Sequence, residues 1–195
     1  SKLRWGSLFA AALGFLMIKQ QDALGLVVFD DHIREYLPPR SVRGHLYEVL
    51  KTLEEVQPSE RTKISAALHH MAERLRRRGL VILISDLFDD PDDIMTGLKH
   101  FRHRQHEVLV FHVLDDLERT FDYKDEARFV DLETRHEIRS QPWFIKREYR
   151  ERVEDWMKSL SKQCREHLID YVPMSTSMPF DLALLAYLNK RSHLG

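Results

Sequence analysis

The chain has 195 residues, 43% of them hydrophobic, enough to bury one sizeable core without forcing a second domain. Its 30 basic residues against 31 acidic leave a formal charge of −1, so the whole-molecule charge favours neither nucleic acid nor insertion at an anionic membrane surface. The one cysteine, Cys164, excludes an internal disulfide and a cysteine-rich zinc site, and fits a reducing, cytoplasmic compartment.

Residues 2–20 predict a helix already in progress at the start, without a cap or a preceding strand, as in a fragment. The apolar run 8–18 within it is too short to span a bilayer and lacks a signal-peptide cleavage pattern, so it reads as a buried helix. Residues 23–29 (ALGLVVF) predict a strand. Asp30-Asp31-His32 turns the chain into a second short strand, 33–37, stopped by Pro38-Pro39, which makes an edge hairpin. The two aspartates are metal-compatible, but Asp is also a routine turn residue, and the turn is the preferred reading.

Residues 44–56 carry Leu46, Val49, Leu50 and Leu53 at the spacing of one helix face. Thr62 is placed to cap a second helix whose inner face holds Ile64, Ala67, Leu68, Met71 and Leu75. Arg74, Arg76, Arg77 and Arg78 before Gly79 read as an ordinary helix stop. Then comes GLVILISDLFDDPDD, in which a continuous apolar run ends in Ser85-Asp86. This is how a buried parallel strand delivers a polar group to the rim of an α/β sheet. Helix chemistry accounts for the acids that follow, with Asp90 capping, Pro91 at the first helical position, and Asp92 and Asp93 in the first turn. It does not account for Asp86.

The helix from 91 to about 104 ends in histidines. His100 and His103 could share a face, yet no partner is spaced to complete a zinc site, and His69-His70 point to different faces. Residues 107–114 (EVLVFHVL) predict another buried strand, again ending in acid at Asp115-Asp116. A small β excursion at 127–132 and 136–140 surrounds Glu133-Thr134. A long helix from 142 to about 167 carries Trp143, Tyr149, Val153, Trp156, Met157 and Leu160 as a core stripe. A short strand at 169–172 and a helix at 180–189 close the chain. No glycine-rich phosphate loop and no G-x-S-x-G turn is present, which removes the common nucleotide-dependent enzymes and serine hydrolases.

The strings ALGLVVFDD, RTKISAALHHMAERLRRRGLVILISDLFDDPDDI, EVLVFHVLDDLE, ARFVDLET and MPFDLALLAYLNKR, in this order, resemble the bacterial domain of unknown function 58 family, itself similar to von Willebrand factor A domains. The resemblance implies a single domain over 1–195: a doubly wound, Rossmann-like α/β fold with a mostly parallel sheet and helices on both faces. A long helix and a closing strand and helix occupy about 142–192. It further implies a metal-ion-dependent adhesion site at the carboxyl edge, to which Thr62 and Asp86 correspond. The D-x-S-x-S motif that would complete it is expected upstream of Ser1, together with the first, central strand. Arg61 and Lys63 stand where relatives often have Gly and Asp or Asn. The expectation is therefore Mg²⁺ or Mn²⁺ in the complete protein and little or none bound by this chain.

Two functions of different class follow. The preferred one is a non-enzymatic interaction module in which a divalent ion held at the adhesion site takes a carboxylate from a partner protein; the resemblance implies a MoxR-type AAA+ ATPase as that partner, in a chaperone-like or assembly role. The other is a Mg²⁺-dependent phosphoryl-transfer or phosphohydrolase enzyme using Asp86 with Asp89 or Asp30. That enzyme needs a nucleophile with a positioned base, and the sequence offers no clear pair. The architecture expected is that strands 23–29, 80–86 and 107–114 are parallel, with 33–37 antiparallel at the edge. An unfilled place is expected between the first two, leaving a poorly stable chain or one that recruits a strand.

Overall fold

The computed structural model describes residues 1–58, 63–122, 127–130, 137–140, 142–179, 184, 185 and 188. Thr62, Glu133, Thr134, the side chain of Trp143 and most of 180–189 lie outside the described residues. At the centre is a parallel sheet of three strands, β3 (Leu80–Ser85), β4 (Glu107–Leu114) and β7 (Asp170–Ser175), in the order β3-β4-β7. The register is regular, with Leu80 opposite Glu107 and Ser85 opposite His112 in one pair, and Leu109 opposite Asp170 in the other.

Both faces of β4 are buried, which is why its sequence is continuously apolar rather than alternating. Val108 and Val110 face a core built with α3 (Ile64–Arg74), α4 (Pro91–His103) and α6 (Pro142–Glu166). Leu109, Phe111 and Val113 face the opposite way, onto Trp5, Phe9 and Leu13 of α1 (Lys2–Lys19). The sheet is thus flanked by helices on both faces, as expected. Phe9 is fully buried and meets Phe111 edge-on, with ring centroids 4.7 Å apart. The helix does have a cap: the Ser1 side chain accepts from Arg4 N–H.

The first two strands, β1 (Leu24–Phe29) and β2 (Ile33–Arg40), form a separate antiparallel hairpin. Among the described residues no ladder joins β1 to β3. The second strand does not stop at Pro38-Pro39 but continues to Arg40. An edge strand tolerates proline where the ladder is already irregular, and the register slips here, from Leu26 opposite Leu37 to Leu24 opposite Arg40. Following the hairpin, α2 (Arg43–Glu55) buries His45 and Val49, while Leu50, expected on the inner face, is exposed.

Other boundaries shift for local reasons. The α3 helix ends at Arg74 with an extended Leu75, and Gly79 has no positive φ, so the Arg76–Arg78 run lies in the connection to β3 rather than in a glycine-capped helix end. A short helix not anticipated from the sequence, α5 (Asp116–Thr120), follows β4 and is held by a capping box between Asp115 and Glu118. The excursion after it is the antiparallel pair β5 (Ala127–Val130) and β6 (Glu137–Ser140). In α6, Leu160 and Cys164 enter the core and Trp156 packs against it.

Candidate functional site at the carboxyl edge

Three strand ends meet at one rim. Ser85-Asp86 leaves β3, Asp115 leaves β4 and Ser175 ends β7, so the parallel sheet collects polar side chains on its carboxyl edge. Asp86 lies where the sequence puts it. Its side chain is about one-third exposed, and its Oδ2 accepts from the Lys2 ammonium at 2.8 Å. The same ammonium donates to Glu118 Oε1 at 2.7 Å. Glu118 Oε2 in turn accepts from Asp115 N–H at 3.1 Å, and Asp115 Oδ2 accepts from the Thr176 hydroxyl at 2.9 Å. A continuous polar rim therefore runs from the end of β3, through the first turn of α1, to the ends of β4 and β7. Burial works to lower the Lys2 pKa, but the bonds to Asp86 and Glu118 outweigh it, and the ammonium is held above its ordinary value.

The turn after Asp86 is tightly determined. Leu87 sits at φ 53°, in the left-handed region, which is costly for a branched side chain. Burial offsets the cost, because Leu87 is 1% exposed in the core. With Leu87 pointing in, the next residue, Phe88, is thrown outward and is 81% exposed. The turn is braced by Ser85 Oγ, which accepts from Leu87 N–H at 3.1 Å.

From below, Asp86 is fixed through its backbone. Its carbonyl accepts from His112 Nε2–H at 2.9 Å, which makes Nδ1 the acceptor for the Tyr171 hydroxyl at 2.5 Å. This line of bonds crosses all three parallel strands. His112 is fully buried and its ring also meets Trp156 edge-on. Burial lowers its pKa to about 4 and raises that of Tyr171. The imidazole next to the candidate carboxylate is thus a structural brace with both nitrogens engaged, not an accessible base.

The other acids named from the sequence are occupied locally. Asp89 Oδ2 accepts from Ile64 N–H at 2.8 Å and Oδ1 from Asp90 N–H at 2.8 Å, so it caps α3 from another loop. The described N-cap position of that helix is Lys63, without a side-chain bond. Asp30 is 4% exposed, accepts from His32 N–H at 3.1 Å and pairs with Arg34. Asp30, Asp31 and His32 offer ligand atoms within 4.8 Å of one another, but the nearby guanidinium already answers the Asp30 charge, and the turn reading accounts for the group. A depression of about 330 Å³ lined by Asp31, His32, Ala67, His70 and Arg74 takes no residue from the Asp86 turn.

Sequence reasoning missed Lys2, Glu118, His112 and Tyr171. Only Glu118 had a local signal, the D-x-x-E spacing of a capping box. It also missed one pairing: His69 Nδ1 and His100 Nδ1 lie 3.2 Å apart across the α3–α4 seam.

Comparison with known proteins agrees with this architecture. Residues 2–162 match the family described as protein of unknown function DUF58. Uncharacterized proteins of Mycobacterium tuberculosis and Mycobacterium bovis are each 31% identical over 109 residues, 54% of this chain and 34% of theirs. The chain thus spans about one-third of the length of the curated relatives it matches. A solved structure of an aerotolerance-related membrane protein from Bacteroides fragilis NCTC 9343, carrying multiple mutations to serines, is similar with a TM-score of 0.59 at 17% identity. The alignment covers 94% of this chain and 85% of that one. No helix among the described residues is long and apolar enough to cross a membrane.

Proposed function

The chain belongs to the DUF58 family, and from that premise we propose that it is a non-enzymatic protein-interaction module that docks a partner on the Asp86–Phe88 turn. The observation that carries this reading is the exposure of Phe88, 81%, on a turn otherwise locked in place beside Asp86. A rigidly presented, solvent-exposed aromatic is the kind of side chain that the buried centre of an interface is enriched in. The enzyme reading is not favoured: His112 is sealed, and Asp89 and Asp30 are committed to backbone and guanidinium partners.

The resemblance to the domain of unknown function 58 family, itself similar to von Willebrand factor A domains, points to a MoxR-type AAA+ ATPase as the partner, met in the cytoplasm. It also implies a divalent ion beside Asp86. The described residues do not fit such an ion, because the Lys2 ammonium already bridges Asp86 and Glu118 and supplies the positive charge there. Mg²⁺ or Mn²⁺ in the complete protein would need Thr62 and further oxygen donors, and the proposed docking uses no metal ion.

Binding of a MoxR-type ATPase to the immobilised chain tests this. Phe88→Ala and Asp86→Asn are each expected to weaken binding about tenfold, as loss of an interface anchor does. Unchanged affinity in both variants would overturn the proposal. So would Mg²⁺-dependent turnover of a generic phosphatase substrate that disappears with Asp86→Ala.

A further inference from the structure

The α3 and α4 helices lie side by side and run in the same sense. Ile64 N–H meets the loop leading into α4, a Cβ on Gly97 would stand 2.8 Å from Leu68 Cβ, and Arg104 reaches the Glu73 carbonyl. Midway along this seam, His69 and His100 face each other with Nδ1 atoms 3.2 Å apart, both rings half-buried, centroids 5.5 Å apart and planes tilted by 49°. Tilted rings with converging Nδ1 atoms are not stacked aromatics. They bring two ring nitrogens within hydrogen-bonding distance across the seam.

We propose that His69 and His100 form a two-imidazole seat for a late first-row divalent cation, with Zn²⁺ as its natural probe, clipping α3 to α4. The bite fits. Two nitrogens each about 2.05 Å from a tetrahedral zinc lie about 3.3 Å apart, so the observed spacing accepts the ion with a shift of about a tenth of an ångström. Imidazole ligands select such cations over Mg²⁺, which wants hard oxygen donors.

The proton balance also closes. Without metal, one imidazole donates its Nδ1–H to the other's Nδ1 lone pair. On binding, the donor ring carries its proton on Nε2 instead, both imidazoles stay neutral, and both Nδ1 lone pairs go to the metal. Two protein ligands with water completing the shell make a site of modest affinity. Its spacing is held by the helices themselves, because the close approach at Gly97 fixes how near the two backbones lie.

Calorimetric titration of the untagged chain with Zn²⁺ at neutral pH, paired with thermal melts, tests the seat. The expected result is saturable binding with a rise in Tm that grows with metal concentration. Binding should weaken about tenfold or more in both His69→Gln and His100→Gln, since each removes one of two ligands. It should be unchanged in His32→Ala and absent with Mg²⁺. Both histidines are half-buried, and far-UV circular dichroism confirms that each variant is folded before titration. Failure of the wild-type chain to bind, affinity unchanged in either glutamine variant, or affinity lost in His32→Ala would overturn the proposal.

Discussion

At the scale of the residue, His112 makes stability depend on pH. Its folded pKa is about 4, lowered first by burial, against ~6.5 in an unfolded chain. Between those values the unfolded state binds a proton that the native state refuses. The contribution is therefore fully present above pH ~6.5 and is lost as pH falls toward 4, by an amount on the order of 3 kcal/mol. Buried His106 is shifted the same way and adds to the slope. Urea denaturation from pH 7 to 4 should show this loss, and His112→Gln, which can donate to the Asp86 carbonyl and accept from Tyr171, should flatten part of it. Cys164 gives a second expectation. It is 1% exposed, and burial raises its pKa to about 11. A thiol reagent should leave it unmodified in the native chain and label it only as the chain unfolds. Asp86 could be read from the sequence because an apolar run ending in acid is a local signal. Lys2 could not, because its two carboxylate partners lie 84 and 116 residues away.

At the scale of the element, α3 depends on its neighbour. Its first free N–H, that of Ile64, is satisfied by Asp89 from the loop ahead of α4. Asp89→Ala should cost about 1 kcal/mol, the usual worth of a cap, seen as a lower denaturation midpoint with an unchanged m-value. Gly97→Ala tests the packing of the same pair. A helix interior ordinarily gains about 1 kcal/mol from that change, but the new Cβ would stand 2.8 Å from Leu68 Cβ, where something must shift. Overpacking of this kind costs about 1–3 kcal/mol, so the midpoint should fall or at best hold, never rise. The parallel strands were legible because burial on both faces leaves a continuous apolar run. The α3–α4 pairing was not, since Asp89 reads locally as a helix-start acid and the seam histidines are 31 residues apart. The extension of β2 through two prolines was missed for a related reason: which side of a strand lacks a partner is a property of the sheet, not of the strand.

At the scale of the whole molecule, the rim joins elements from opposite ends of the chain through the one ammonium of Lys2. An ion that must displace it gains two carboxylates and little else, so calorimetric titration with Mg²⁺ should give no saturable heat. Lys2→Met should leave that result unchanged if donors beyond Asp86 and Glu118 are required. Binding gained by the variant would instead show that the lysine alone excludes the ion. The separation of the hairpin from the parallel sheet bears on another property. Among the described residues β3 pairs on one side alone. Its sequence, LVILIS, is six residues without a charge or a proline, the composition that stacks into cross-β fibrils when an edge is left open. Arg76 to Arg78 precede it and Asp86, Asp89 and Asp90 follow it, so repulsion between like-charged flanks would act as a gatekeeper against stacking copies. Neutralising the acidic flank should remove half of that protection: at pH 3, or at neutral pH with Asp89 and Asp90 both changed to Asn, thioflavin T fluorescence should rise with protein concentration, while the unmodified chain at pH 7.5 stays dark.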